Sequence, residues 1–286
     1  MNNKIAIIAC SNACLDYIDH PYDIRIFRSS LHLGDEQYLD FVEIKAEDFY
    51  KRLEEDKSVF PSSSMMPIGQ MIEIYEDLVK EGYEKAIVIT ISKEMSGIHN
   101  TAIMASNEVE ELDVTVFDSM TLAWPEAKMA LTACKMVEEG ADVPDIIKEL
   151  EYIRDNTNIY FAVHTLKFLV KNGRLSNAAG LIGGALKLKP VLNINKEGKA
   201  VTFDKIRTFK KALQRMIELY FEETEGKKAT PYIIHANNPE ARDYLVEELQ
   251  KIDPSITKVD DMPLTAVVGA HAGPKTIGLG YYIEKE

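Results

Sequence analysis

The chain has few cysteines, and none of them stands in a metal-binding arrangement. Its 286 residues include Cys10, Cys14 and Cys134, an odd number in a chain of this size. Cys10 and Cys14 have no second pair of ligands near them, and the six histidines lack the spacing of metal ligands. We therefore expect reduced cysteines, no metal site and a cytoplasmic location.

Long apolar runs and an excess of basic residues are also missing. No apolar stretch reaches the length of a membrane span, and the run after Lys4 is too short for the core of a signal peptide. The net charge of -13 repels phosphate backbones and anionic lipid headgroups. The sequence thus disfavours nucleic-acid binding and stable membrane insertion, although the 205–211 region could form a local basic patch.

Several catalytic and nucleotide-binding motifs are absent as well. The sequence contains no G-x-G-x-x-G, no P-loop, no H-E-x-x-H and no G-x-S-x-G segment. The chain therefore has no nucleotide-binding motif of its own, and any reactive serine would lack the usual nucleophile elbow.

Strands and helices alternate in the first half of the chain, which predicts a mostly parallel, doubly wound sheet. A loosely alternating segment, Ile24–Leu33, reads as one further strand, and Ser58–Pro67 reads as a loop. The other strands that we predict in this half are Lys4–Cys10, Lys85–Ile91 and Val114–Phe117.

The second half has a different pattern, typical of an α+β domain with a mixed sheet. Lys196-Glu197-Gly198 separates two strand-like runs and predicts a hairpin. Later in the chain, Ile256–Val259 and the apolar run Ala266–Gly269 both read as strands. At this length we expect two domains of an α/β protein, residues 1–156 and residues 157–286.

Three polar clusters are the candidate functional residues, namely Ser63-Ser64, Ser96-Gly97 and His271-Ala272-Gly273-Pro274. The last two follow predicted strands, and ligands of open α/β sheets bind beyond the carboxyl ends of strands. All three clusters offer neutral or weakly basic donors, which suits an anionic head group. Ordinary helix caps for the serines and a turn role for His271 are the alternatives.

Two neighbouring segments extend this hypothesis. Arg174, in Gly173-Arg174-Leu175-Ser176, could pair with a carboxylate or phosphate, or could be a solvated residue after a glycine helix cap. Downstream, Leu181–Leu186 is apolar on nearly all sides and predicts a buried helix that either packs in the core or lines a tunnel.

A hydrolase is the rival interpretation of the same residues. Ser96 and His271 could act with Asp118, which follows a predicted strand, as a serine-type triad for an acyl ester. The missing elbow motif weighs against this hypothesis, and Asp118 could equally cap the next segment.

The order and spacing of these clusters resemble the DegV family of bacterial fatty-acid-binding proteins along essentially the whole chain. Two departures stand at Cys10-Ser11, where the family has Asp-Ser, and at Met65-Met66, where it has Gln-Pro. The segments that carry the resemblance are Ser63-Ser64, Ser96-Gly97-Ile98, Asp118-Ser119, Asn172–Ser176, Lys189-Pro190, Arg207-Thr208 and His271–Pro274.

The resemblance implies a binding protein, not an enzyme, with a long-chain fatty acid held between two domains as its ligand and no cofactor. The carboxylate would meet the hydroxyls of Ser63 and Ser96 and the imidazole of His271. A separate kinase would phosphorylate this carboxylate while the protein presents it. The remaining ligand-binding residues would be Ser64, Gly97, Gly273 and Arg174, and the acyl tail would lie against Leu181, Ile182 and Leu186.

Overall fold

The computed structural model of the protein describes residues 4–176 and 188–285. The strands in these residues are β1 Ile5–Cys10, β2 Ile24–Phe27, β3 Ser30–Leu33, β4 Glu36–Leu39, β5 Pro61–Ser64, β6 Lys85–Thr90, β7 Asp113–Asp118, β8 Thr157–Ala162, β9 Val191–Ile194, β10 Ala200–Asp204, β11 Ala229–His235, β12 Asp260–Pro263 and β13 Ile277–Ile283. The helices are α1 Ala46–Glu55, α2 Ile68–Lys80, α3 Ile98–Ser106, α4 Trp124–Glu138, α5 Val143–Asp155, α6 Lys167–Lys171, α7 Phe209–Thr224, α8 Pro239–Ile252 and α9 Ala266–Ala272.

The first sheet is parallel, with the strand order β2-β1-β6-β7. Ile8 of β1 and Val88 of β6 belong to one core with residues of α2 and α3, while Ile7 and Ile87 belong to a second core with residues of α4. Because helices cover both faces, β1 is buried along its whole length. The prediction of a parallel, doubly wound sheet is confirmed.

One predicted strand and one predicted loop were wrong. The segment Ile24–Leu33 forms two strands in different sheets, because the chain leaves β1 after Phe27 and β3 then pairs with β4 and β5. The segment Ser58–Pro67 contains β5, whose residues pair with β3 from Ser64 back to Pro61. Serine has a low strand propensity, and a proline at the start of an edge strand is tolerated, so local sequence hid this strand.

The second sheet has six strands in the order β10-β9-β8-β13-β11-β12. All neighbours are antiparallel except β11 and β12, so the predicted mixed sheet and the β9–β10 hairpin are confirmed. One face packs on α7 and α8 through residues such as Ile233 and Leu279. The strands of the first sheet end at residue 118, and the strands of the second sheet begin at residue 157. The predicted domain boundary itself stays a prediction.

Two further strand predictions were wrong. The run Ala266–Gly269 belongs to helix α9, and the strand in the region of Ile256–Val259 is instead β12, which begins after this segment. Thr265 caps the helix, because its Oγ1 accepts a hydrogen bond from the Val268 amide at 3.4 Å. The first five residues of α9 are all buried. A short apolar run that is buried on all sides has no periodicity that separates strand from helix, which explains the error.

Candidate functional site

A cavity of about 660 Å³ lies between the two sheets, within the size range of small-molecule sites. Asn12, Ser29 and Ile91 reach it from just beyond the carboxyl ends of β1, β2 and β6. The cavity therefore occupies the position where open parallel sheets bind ligands. Most of its lining is apolar, and this part includes Met66, Met95, Leu122, Ile159, Phe161, Leu169, Ile194, Ala200, Ile234, Leu264, Val267 and Val268.

Ser63 and His271 meet at this cavity although 208 positions separate them in the sequence. The Oγ atom of Ser63 lies 2.7 Å from the Nε2 atom of His271, a hydrogen-bond distance. Ser63 is positioned by the β3–β5 pairing, where it stands opposite Leu31. His271 is positioned by α9, which packs against β3 and β5. The antiparallel pairing of β5 with β3 and the packing of α9 against these strands together bring the two side chains into contact.

Burial sets the charge state of His271. Loss of solvent around the ring, assisted by the positive charge of Arg174, lowers the pKa of His271 to about 4. The ring is therefore neutral at pH 7 and carries one N–H. Its Nδ1 atom is buried and has no hydrogen-bond partner among the described residues. Orphaned buried N–H groups are rarer in proteins than orphaned acceptors, so we assign the hydrogen to Nε2, from which it is donated to Ser63.

Ser96 and Gly97 border the cavity at the start of α3. The Oγ atom of Ser96 accepts a hydrogen bond from the Ile98 amide at 3.3 Å, so this serine pairs with the first amide of α3 and also lines the site. A Cβ at Gly97 would stand 3.5 Å from the sulfur of Met65, which is an ordinary van der Waals contact, so packing alone does not require glycine here. The amide groups of this first turn add the positive end of a helix dipole to the border of the cavity.

Arg174 lies at the cavity and joins its two sides. Its Nε atom donates to the Met95 carbonyl at 2.9 Å, and an Nη atom donates to the Asn172 carbonyl at 2.7 Å. Asn172 in turn donates to the carbonyl of Ala270 in α9 at 2.9 Å. Arg174 is exposed and positively charged, so it adds a favourable field for an anion at this end of the cavity.

The other predicted site residues differ in their placement. Ser64 borders the cavity, and its hydroxyl lies 2.9 Å from Nε2 of His32. Gly273 is not among the lining residues of the described chain. Its φ is +83°, and a Cβ atom at this position would lie 2.5 Å from the ring of Phe168, so the turn at the end of α9 requires glycine here. The predicted tail residues Leu181, Ile182 and Leu186 lie outside the described residues.

The apolar lining from the second sheet was not predicted. Ile159 and Phe161 of β8, Ile194 of β9 and Ile234 of β11 all face the cavity. Within β8 the two lining residues are two positions apart, as one face of a strand requires. Such alternation marks a buried face in the sequence, but it does not reveal that this face borders an empty space.

The proposed triad is not assembled. The carboxylate of Asp118 accepts hydrogen bonds from the backbone amides of Met120 and Lys93, at 3.0 and 3.3 Å, and pairs with the Lys93 ammonium at 3.5 Å. The imidazole of His271 bonds to Ser63, not to Ser96. The described residues therefore place neither an orienting acid on His271 nor a base on Ser96.

Metal-binding and membrane-spanning features are absent from the described part of the chain. In residues 4–176 and 188–285, no group of three or more His, Cys, Asp or Glu side chains is arranged to hold a metal ion. Among the helices in those two ranges, none is both long enough and apolar enough to cross a membrane. The three cysteines are buried and form no disulfide.

Comparisons with known proteins agree with the resemblance inferred from the polar clusters. The sequence matches the model of the DegV family, described as uncharacterised proteins, over residues 4–284. A DegV domain-containing protein of Halalkalibacterium halodurans is 36% identical over 99% of both chains. The chain therefore belongs to the DegV family.

Solved structures of the family share the fold. The DegV protein of Bacillus subtilis, described as a fatty acid binding protein, is similar with a TM-score of 0.85 and 32% identity over 98% of this chain and 99% of that one. A fatty acid binding DegV family protein from Streptococcus agalactiae is similar with a TM-score of 0.89 and 25% identity over 99% of each chain. The arrangement of the two main sheets is thus that of a known architecture.

Proposed function

We propose that this protein binds a long-chain fatty acid in the cavity between its two sheets. One observation carries the proposal: an apolar cavity has the hydrogen-bonded Ser63–His271 pair and the first turn of α3 at its border. Relatives described as fatty acid binding proteins support the same ligand class. The acyl tail would occupy the apolar part, and the carboxylate would face the polar groups.

The energetics of such a ligand match this lining. Each buried methylene contributes about 0.8 kcal/mol, so a long tail supplies most of the affinity. A carboxylate that leaves water needs several donors in return. The Ser63 hydroxyl, the Ser96 hydroxyl and the amides at the start of α3 are such donors, and the Arg174 guanidinium adds a positive charge nearby.

His271 would act through Ser63 in this arrangement. When Nε2–H donates to the Ser63 oxygen, the Ser63 hydrogen is free to point to a carboxylate. With the hydrogen on Nδ1 instead, Nε2 would take the Ser63 hydrogen, and the hydroxyl could no longer donate to the ligand. The role of the imidazole is therefore to orient a neutral donor, which a ring with a pKa of about 4 can do at neutral pH.

The protein purified without a delipidation step is expected to contain a fatty acid. Mass spectrometry of the denatured protein identifies the lipid, and refolded, lipid-free protein is then expected to show a higher melting temperature when the same acid is added. Absence of any fatty acid from the purified protein, together with no thermal shift, would refute the proposal.

We further propose that the protein presents the bound carboxylate to a separate kinase. The sequence has no nucleotide-binding motif, so ATP would have to be bound by a partner. In the presence of such a kinase and ATP, an acyl phosphate is expected from the acid bound to this protein. Equal phosphorylation of free fatty acid without the protein would contradict the presenting role.

A further inference from the structure

Ile159 and Ile194 border two cavities. Both line the apolar cavity, and both also line a second cavity of about 770 Å³. Most other lining residues of the second cavity have amide or charged side chains. These are Arg154, Asp155, Asn156, Asn158, Asn193, Asn195, Lys196 and Lys227. The two isoleucines therefore form a partition between an apolar cavity and a more polar one.

The strand register places Ile159 away from the Ser63–His271 pair. Ala162 of β8 stands opposite Ile277, the first residue of β13, and Thr276 just before it bonds to the Ala272 carbonyl of α9 at 2.9 Å. Ile159 stands opposite Gly280, three residues farther along the strands. At about 3.3 Å per residue, Ile159 lies roughly 10 Å beyond the point where β8 passes the end of α9.

The backbone that carries the two isoleucines is held by a hydrogen-bonded network on the opposite face of β8 and β9. The side-chain amide of Asn193 donates to Asn158 Oδ1 at 2.7 Å and to the Ile159 carbonyl at 2.9 Å. The Asn158 amide donates to the Glu223 carboxylate at 3.0 Å. A hydrocarbon end that passed the two isoleucines would instead enter the second cavity, beside side chains such as Arg154, Asn195 and Lys196, and would gain less from burial.

Gly278 of β13 keeps the partition in position. A Cβ atom at Gly278 would lie 2.8 Å from Cγ1 of Ile234 and 3.1 Å from Cδ1 of Ile159. The side chains of Ile159 and Ile234 therefore occupy the space that a side chain at position 278 would fill. Any residue larger than glycine at this position would push both isoleucines toward the cavity.

We propose that Ile159 and Ile194 set the longest acyl chain that the protein accommodates, with Gly278 fixing the position of Ile159. The inference rests on the proposed fatty-acid-binding function. Affinity is expected to rise about fourfold for each methylene that the apolar cavity buries. The increase in affinity stops at the chain length at which the terminal methyl group of the acid reaches the two isoleucines.

Dissociation constants for an even-numbered series of saturated fatty acids test the proposal on lipid-free protein. In Ile194→Ala, the rise in affinity is expected to continue to longer acids than in the unmodified protein. In Gly278→Ala it is expected to end at shorter acids. Ile233→Val is the matched control, because Ile233 is buried on the opposite face of the sheet and its change leaves the length limit unaltered.

A melting curve shows whether Ile194→Ala and Gly278→Ala fold. If either does not, the smaller changes Ile159→Val and Ile194→Val still test the proposal. Their limit is expected to shift in the same direction as that of Ile194→Ala by a smaller step. A limit that is the same in all folded variants overturns the role of the partition, while fatty-acid binding itself stands. An unmodified protein that binds no acid of any length overturns the proposed function instead.

Discussion

The double variant Ser63→Ala/His271→Ala is expected to lose affinity for fatty acids by on the order of a hundredfold while it keeps its fold. A hydrogen bond to a charged group contributes about 1.5–3 kcal/mol, and the variant removes both the donor and the ring that orients it. The fold should persist because the hydrogen bond between these side chains stands at the cavity and not inside a sheet. Titration calorimetry on lipid-free protein measures the effect.

Ser62→Ala is the matched control for this variant. Ser62 is exposed on the same strand as Ser63 and, one residue away, points to the opposite face of β5. Its change is expected to leave the dissociation constant within about twofold, as for most surface substitutions. An unchanged constant in the double variant would remove the head-group site.

The single variant His271→Gln separates an orienting role from a charged one. The glutamine amide keeps an N–H donor for Ser63 but does not titrate, so the variant is expected to retain more affinity for fatty acids than His271→Ala at pH 7.

Because the pKa of His271 is about 4 in the folded protein and near 6.5 when unfolded, the histidine lowers the stability of the ligand-free protein as pH falls from 6.5 toward 4. This acid-dependent loss of stability is expected to be smaller in His271→Gln and in His271→Ala than in the unmodified protein. Urea unfolding across that pH range would show the difference.

Gly269→Ala is expected to destabilise the protein by roughly 3 kcal/mol, at the upper end of the usual cost of overpacking. A Cβ atom at Gly269 would lie 2.2 Å from the Tyr50 hydroxyl oxygen and 2.6 Å from two ring carbons. The Tyr50 ring is fully buried, and its hydroxyl donates to the Leu264 carbonyl at 3.0 Å, so it has no free space into which to move. Helix α9 must then shift away from α1, and His271 would shift with it.

Gly69→Ala is the control, because Gly69 also lies in a helix but a Cβ there meets no atom within 4 Å. This change is expected to stabilise the protein by about 0.5–1 kcal/mol through helix propensity. Tyr50→Phe combined with Gly269→Ala should recover part of the loss, since it removes the closest atom. Urea unfolding of these variants and the unmodified protein measures the differences, and a Gly269→Ala variant as stable as Gly69→Ala would disprove the packing argument.

The amino-acid pattern was sufficient for the regular part of the fold. Strand β6 was predicted almost to the residue, because a continuous apolar run is a local property. The serine-rich strand β5 and the short helix α9 were not predicted. Each takes its conformation from its neighbours, β3 in one case and Tyr50 and the cap of Thr265 in the other.

The sequence by itself determined that the chain alternates strands and helices, that it carries polar clusters suited to an anion, and that these clusters resemble the DegV family. Only the tertiary structure decided that Ser63 bonds to His271, that Asp118 does not, and that Ile159 and Ile194 stand between two cavities. The physical reason is that hydrophobic periodicity is set by a few neighbouring residues. A hydrogen bond or a cavity wall depends instead on which distant segments the folded sheets and helices bring together.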